Sequence, residues 1–338
     1  LQFSCSSADP MKRRPSFYND LQPGLFDDID LSEEAERIAR RRRHVSRMGD
    51  GDNTMLFMGL GSGSSGNCSY LGDSDGGFLI DTGVDAGMVV DVLRRNAVDM
   101  SMVKGILVTH DHTDHIRSIY SLVREHRHIG IYCTPRCLQG ILRRHNVSRR
   151  FKDYHRPIYK EIPFTIGNFT VTAFDVSHDG TDNVGFFVER GPSGHAFAIA
   201  TDLGVVTDRV EYYMRKANHI VIESNYDADM LLHGTYPEYL KHRIMNVRGH
   251  LDNADAARFI ARIYTPQLAH VFLCHLSADN NTPEIAVRTM LDALRDGPGL
   301  TAVGDGSERP EVRDLPLQVM ALPRFEPTPM FVLRKPEN

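Results

Sequence analysis

One segment of this chain constrains its fold more than any other. The run Val108-Thr109-His110-Asp111-His112-Thr113-Asp114-His115 packs four side chains of metal-binding type into six residues. It follows directly on the apolar stretch Gly105–Thr109, which reads as a buried strand. In an extended chain His110 and His112 sit two residues apart and point the same way. Asp114 and His115 fall at the mouth of the next helix, turned toward the same space. A chain with sixteen histidines in 338 residues does not reach that density by dispersal. Whatever the fold, it must bury the strand and leave its C-terminal end open toward a cation. Neutral imidazoles and carboxylates suit borderline divalent metals, Zn²⁺ or Mn²⁺ among them.

Three further positions repeat the arrangement. His178 follows the strand pattern Phe169–Phe174, Asp202 ends the pattern Ala196–Thr201, and His275 ends the pattern Ala269–Cys274. Each stands just beyond the C-terminal end of an apolar strand, where open α/β sheets place their sites. Alone, each is an ordinary strand-end polar residue. Together with the first cluster they form a set of seven.

The order of elements says how such a set is assembled. Strands are expected at Met55–Leu60, Cys68–Leu71, Phe78–Asp81, Gly105–Thr109, Ile129–Cys133, Phe169–Phe174, Val184–Glu189, Ala196–Thr201, His219–Glu223 and Ala269–Cys274. Helical spacing is expected at Ala86–Arg95, His115–His126, Pro135–Arg144, Val206–Lys216, Tyr236–Asn246, Asp252–Ile263 and Pro283–Leu294. Strands first, then β-α alternation, then the same again implies an α/β fold of four layers, an αββα sandwich. Residues 55–296 hold this pattern. Residues 1–54 read as a disordered N-terminal extension ending in a short solvated helix, with Met55 as a natural start. Residues 297–338 are Pro-rich, with late strands at Leu317–Ala321 and Met330–Leu333.

The spacing His-x-His-x-Asp-His, then a distant His, Asp and His, resembles the metallo-β-lactamase superfamily. The resemblance implies that His110, His112 and His178 hold one divalent metal ion, that Asp114, His115 and His275 hold a second, and that Asp202 bridges them. The residues 61–68 (Gly-Ser-Gly-Ser-Ser-Gly-Asn-Cys), 222–227, 249–253 and 275–281 are similar to the YycJ/WalJ branch of that superfamily, over roughly 55–294. That branch is associated with 5′-to-3′ DNA exonuclease activity, so the likeness implies DNA as substrate. It also implies that His250, placed like a histidine of ribonuclease Z relatives, donates a proton to the leaving oxygen, with Asp114 the other catalytic residue. Glu223 and Asp227 are candidates to orient His250, because catalytic imidazoles commonly lean on a carboxylate. The small-residue loop with Ser64, Ser65 and Asn67 offers free backbone N–H groups or a tight turn beside the site. Asn280 and Asn281 either brace the final loop or touch substrate.

Composition narrows the remaining classes. The net charge of −5 supplies no bulk attraction to nucleic acid or membrane, so phosphate binding has to be local. No apolar run approaches the roughly 20 residues that span a bilayer, and the N-terminus lacks a secretion pattern. Five cysteines without regular spacing form no disulfide framework. These features read as a cytoplasmic protein. Cys133 and Cys137 read as buried thiols. The stretch Arg143, Arg144, His145, Arg149 and Arg150 reads as a solvated helix end or as a track for a DNA backbone. The alternative activity is hydrolysis of a thioester or lactone by the same metal pair, and a binding protein with a vestigial site is disfavoured by the full ligand set.

Overall fold

The computed structural model describes residues 54–337 apart from 146, 192–193 and 308. The expectations for residues 1–53 lie outside the described residues. Thr54, read from sequence as part of the N-terminal segment, already belongs to the first strand.

One sheet is built from β1 (Thr54–Gly61), β2 (Cys68–Asp73), β3 (Gly76–Ile80), β4 (Val103–Leu107), β5 (Gly130–Cys133), β6 (His155–Pro157) and β14 (Phe331–Arg334), in the order β14-β1-β2-β3-β4-β5-β6. The other holds β7 (Phe164–Ile166), β8 (Phe169–Asp175), β9 (Val184–Arg190), β10 (His195–Ala200), β11 (His219–Glu223), β12 (His270–Cys274) and β13 (Gln318–Ala321), in the order β13-β12-β11-β10-β9-β8-β7. Each sheet is antiparallel at one side and parallel at the other: β3 through β6 run parallel, as do β10 through β13. The late strands predicted in the C-terminal segment are edge strands, one on each sheet.

Period-two alternation assigns the two faces of every central strand. In β12, Phe272 and Cys274 face the layer between the sheets, while Val271 and Leu273 face helices. In β3, Phe78 and Ile80 point inward and Leu79 outward. Both faces are apolar, so these strands read as continuous hydrophobic runs. Phe57 joins the sheets, its ring centroid 4.7 Å from that of Phe272 and 5.3 Å from that of Phe197.

Nine α-helices are found among the described residues: α1 (Ala86–Arg95), α2 (Thr113–Ile116), α3 (Ile119–Glu125), α4 (Pro135–Arg144), α5 (Asp208–Met214), α6 (Ala228–His233), α7 (Glu238–Ile244), α8 (Asn253–Ile263) and α9 (Pro283–Asp296). The longer ones start on side-chain caps: Asp85, Thr134, Asp252 and Thr282 each accept from a backbone N–H one turn on, which satisfies an orphan donor of the first turn. α1, α3 and α4 cover the first sheet; α5, α8 and α9 cover the second. The four layers are those of an αββα sandwich.

One departure from the sequence pattern bears on function. The helix expected over His115–His126 breaks into α2 and α3 at Arg117-Ser118. The carbonyls of Asp114 and His115 accept from Asn67 N and Thr82 N, both at 2.7 Å, instead of extending the helix. Gly83 makes this close approach possible: a Cβ there would sit 1.5 Å from the Asp114 carbonyl oxygen.

Candidate metal centre

The parallel strands of both sheets end at one rim, and all seven predicted ligands meet there. Ligand atoms of His110, His112 and His178 lie within 4.8 Å of one another, and so do those of Asp114, His115 and His275. Asp202 joins the groups, with Oδ2 3.2 Å from His115 Nε2 and Oδ1 3.7 Å from His178 Nε2 and 3.3 Å from His275 Nδ1. All are buried except His112 and Asp114, which are partly open to solvent.

What orients the rings lies behind them. His115 Nδ1 donates to Asp81 Oδ2 at 2.7 Å, His178 Nδ1 to the Gly249 carbonyl at 2.9 Å, and His275 Nδ1 to Glu223 Oε1 at 2.7 Å. Thr109 Oγ1, which donates to Asp81, accepts from His110 Nδ1 at 3.0 Å. In each case the Nδ1 hydrogen bond sets the tautomer and turns the Nε2 lone pair toward the shared space, as outer partners of metal-bound imidazoles do. His275 also has a left-handed backbone (φ 54°), a conformation non-glycine residues occupy at a cost. It is held there because its N–H donates to Ser62 Oγ at 2.8 Å and its carbonyl accepts from Asn225 Nδ2 at 2.7 Å.

The protein alone leaves this space unsatisfied. Among the described residues, His110 Nε2 and His275 Nε2 are buried and have no hydrogen-bond partner, a cost of roughly 1–3 kcal/mol for each such group, and Asp202 Oδ2 has only His115 Nε2 beside it, at 3.2 Å. Burial would lower the His115 imidazole, but Asp202, Asp81 and Asp114 outweigh it and push the ring well above its ordinary value. Burial opposes His275 likewise, and Asp202, Asp114 and Glu223 push it up to about 10. His110 faces burial and the His115 charge, and is driven well down. The centre therefore favours positive charge, and its imidazoles offer lone pairs to a cation once their protons are displaced. That is a donor set suited to divalent cations.

The remaining predicted residues divide. Glu223 Oε1 accepts from His250 Nδ1 at 2.7 Å as well as from His275, the arrangement expected of it. Its other oxygen takes the Leu203 and Leu251 N–H groups. Asp227 is elsewhere: it caps α6 by accepting from Met230 N, so it does not orient His250. Asn67 Nδ2 lies 2.9 Å from His115 Nε2 and 3.3 Å from Asp114 Oδ2. Ser64 and Ser65 are exposed at the loop tip, with no hydrogen bond to the ligand set among the described residues. Asn280 and Asn281 are buried braces. The Asn280 carbonyl accepts from Asp227 N, and Asn281 Nδ2 donates to the carbonyls of Ser224 and Asn225. Cys133 and Cys137 are buried free thiols.

Sequence reading did not single out Asp81, Asn225 or Asp179. Asp81 had a signal, since Leu79-Ile80-Asp81 is a carboxylate at an apolar strand end like the others. Asp179 had none beyond its place next to His178. Its Oδ1 lies 3.3 Å from His112 Nε2 and 3.4 Å from His178 Nε2.

Carboxylate-backed histidines at the rim of an αββα sandwich define a class. Residues 77–275, more than half of the chain, match the model of the Beta-lactamase superfamily domain, and the chain belongs to the metallo-β-lactamase superfamily of metal-dependent hydrolases. Within it the chain falls in the YycJ/WalJ branch. It is 32% identical over 240 residues to the exodeoxyribonuclease YycJ of Bacillus anthracis, covering 71% of this chain and 89% of the relative. It is 30% identical over 235 residues to the exodeoxyribonuclease WalJ of Streptococcus pneumoniae, covering 70% and 86%. The crystal structure of the metallo-β-lactamase fold protein YhfI from Bacillus subtilis superposes with a TM-score of 0.56 at 15% identity, covering 82% of this chain and 99% of that one. That likeness speaks to the fold alone.

Proposed function

We propose that this protein is a binuclear metal-dependent phosphodiesterase that degrades DNA as a 5′-to-3′ exonuclease. The observation that carries the reading is the convergence of seven candidate ligands at one rim, in a chain whose relatives are named exodeoxyribonucleases. In this reading His110, His112 and His178 hold one ion, Asp114, His115 and His275 the other, and Asp202 lies between them. Bound there, two divalent ions (Zn²⁺ or Mn²⁺) supply Lewis acidity that activates water and offsets charge on a phosphoryl oxygen.

The chain's own residues do the rest. Glu223 accepts the Nδ1 proton of His250, which fixes the imidazole with its second nitrogen free. That nitrogen is the proton donor to the departing sugar oxygen, a role worth roughly 10²–10⁴ in rate. Asp114, partly open to solvent, is held in the carboxylate form: burial raises it, but the hydrogen bonds and charge of His115 and His275 hold it far below its ordinary value. No helix among the described residues is long and apolar enough to cross a membrane, and we place the enzyme in the cytoplasm with DNA.

The test is digestion of end-labelled double-stranded DNA with Mn²⁺ or Zn²⁺, comparing the parent with Asp114→Ala and His250→Ala. Metal-dependent release of nucleotides from the 5′ end is expected. Asp114→Ala should abolish it, and His250→Ala should slow turnover by roughly 10²-fold or more. Thioester turnover without DNA cleavage would overturn the reading.

A further inference from the structure

A second surface borders the metal centre and is not part of it. Tyr239, His242 and Arg243 on α7, Asn246 and Arg248 on the loop that follows, and Asp179 line an open pocket of about 420 Å³. This pocket is one carboxylate away from the ligand set. Asp179 Oδ1 faces His112 and His178, while Oδ2 accepts from Arg243 Nε and Nη2 at 3.0 and 2.8 Å. The loop is pinned to the rim. Ser177 Oγ donates to the Val247 carbonyl, Arg248 Nε donates to the His178 carbonyl at 3.2 Å, and His178 donates to the Gly249 carbonyl. A Cβ on Gly204 would sit 2.3 Å from the Val247 oxygen, so the loop cannot drift from the centre.

The pocket's chemistry is specific. It offers an imidazole, an amide and two guanidinium groups: Arg243 pairs with Asp179 through Nε and Nη2, and Arg248 Nε holds the His178 carbonyl, which leaves Arg243 Nη1 and the Nη groups of Arg248 with no hydrogen bond among the described residues. Guanidinium forks suit phosphate oxygens. Tyr239 stands 75% exposed above them, an aromatic face of the kind on which an unpaired base stacks. In a chain of net charge −5, this rim can supply the local attraction that the bulk does not. The basic stretch singled out from sequence is partly used elsewhere: His145 Nε2 donates to the Asp111 carbonyl at 2.6 Å, and Arg144 Nε lies 3.7 Å from Asp111 Oδ2.

We propose that this pocket is the nucleotide subsite beside the cleaved bond, where Arg243 and Arg248 hold a backbone phosphate of a single-stranded DNA end and Tyr239 stacks on its base. The inference rests on the DNA reading above. It is tested with metal-loaded enzyme on two substrates, a 5′-labelled single-stranded oligonucleotide and bis(p-nitrophenyl) phosphate, which carries one phosphate and no nucleobase. Arg248→Gln is expected to raise KM for the oligonucleotide roughly tenfold and to reduce the slope of log affinity against log salt by about one. Its loss on the small diester, which reports any disturbance of His178 through the lost Arg248 bond, should be clearly smaller. Tyr239→Ala should cost roughly tenfold on the oligonucleotide, with Tyr239→Phe restoring it, because stacking needs only the ring. Equal losses on both substrates with an unchanged salt slope would overturn the subsite and leave the exonuclease reading standing. A parent that digests double-stranded DNA but not the oligonucleotide would overturn the subsite alone, and one that cleaves the small diester but neither DNA would overturn both.

Discussion

Strands β10, β11 and β12 begin on His195, His219 and His270, and they lead at their other ends to Asp202, Glu223 and His275. The entry end is a ladder of rings. His195 Nε2 lies 2.7 Å from His219 Nε2, and His219 Nδ1 lies 2.9 Å from His270 Nδ1. Neutral rings satisfy both contacts if His195 donates to His219 and His219 donates to His270. Burial acts at both ends, yet His275 titrates in the opposite direction from His195 and His270. Burial, joined by Arg190 and Lys335, takes His195 down to about 4, and burial alone takes His270 down to about 4. At the exit end, carboxylates outweigh burial and push His275 up to about 10. Buried imidazole is common to both ends. The anions behind the rings decide whether the cluster repels a proton or draws a cation.

The most damaging way to break that contrast is Gly83→Ala. The added methyl would meet the Asp114 carbonyl at 1.5 Å, forcing Asp114 and His115 off the rim while leaving the entry end alone. A displacement near 1 Å costs on the order of 10²-fold or more in rate. Metal content by mass spectrometry and hydrolysis of bis(p-nitrophenyl) phosphate should fall together. Normal metal content in the variant would refute the close-approach argument. A milder change, Glu223→Gln, makes the exit end resemble the entry end by removing a charge shared by His250 and His275. Gln would also turn an NH₂ toward the Leu203 and Leu251 N–H donors, or toward the imidazoles. Metal affinity measured by chelator competition should drop roughly 10–100-fold, and an unchanged affinity would mean that the Glu223 charge is idle.

Sequence made the exit end legible because its donors stand just beyond apolar strands, and the family resemblance implied how they group. The four layers were legible from periodicity, and α1, α4 and β11 match their predicted spans to the residue. Elements without a periodic signal were not legible. β6 and β7 are three residues each, and α6 is six, too short for either period to show. The break between α2 and α3 is invisible in one segment because its cause is Asn67 and Thr82, remote in sequence. Asp227 and Glu223 look alike as flanking carboxylates. Only packing shows that one caps a helix and the other sits behind two imidazoles. The entry ladder was missed because its histidines stand where strands start, and strand register, which sequence did not supply, sets His219 beside His270.

The smallest expected effect sharpens the comparison from the entry end. His195 and His270 titrate at about 4 in the folded protein, against an ordinary value of 6.5. Between those values the unfolded chain binds protons that the folded chain does not, so stability falls as pH falls from about 6.5 toward 4. At pH 5 the loss is about 2 kcal/mol per group by that linkage. His270→Gln removes one titrating ring while keeping a partner for His219. Denaturant unfolding at pH 7 and pH 5 should then show a smaller acid loss in the variant than in the parent, by about 2 kcal/mol. The exit end, shared by both proteins, cancels in that difference, including any acid release of metal. Two curves that stay parallel from pH 7 to pH 5 would mean that the ladder does not titrate in this range, and that the opposite charge preferences of the two ends do not come from the groups behind their rings.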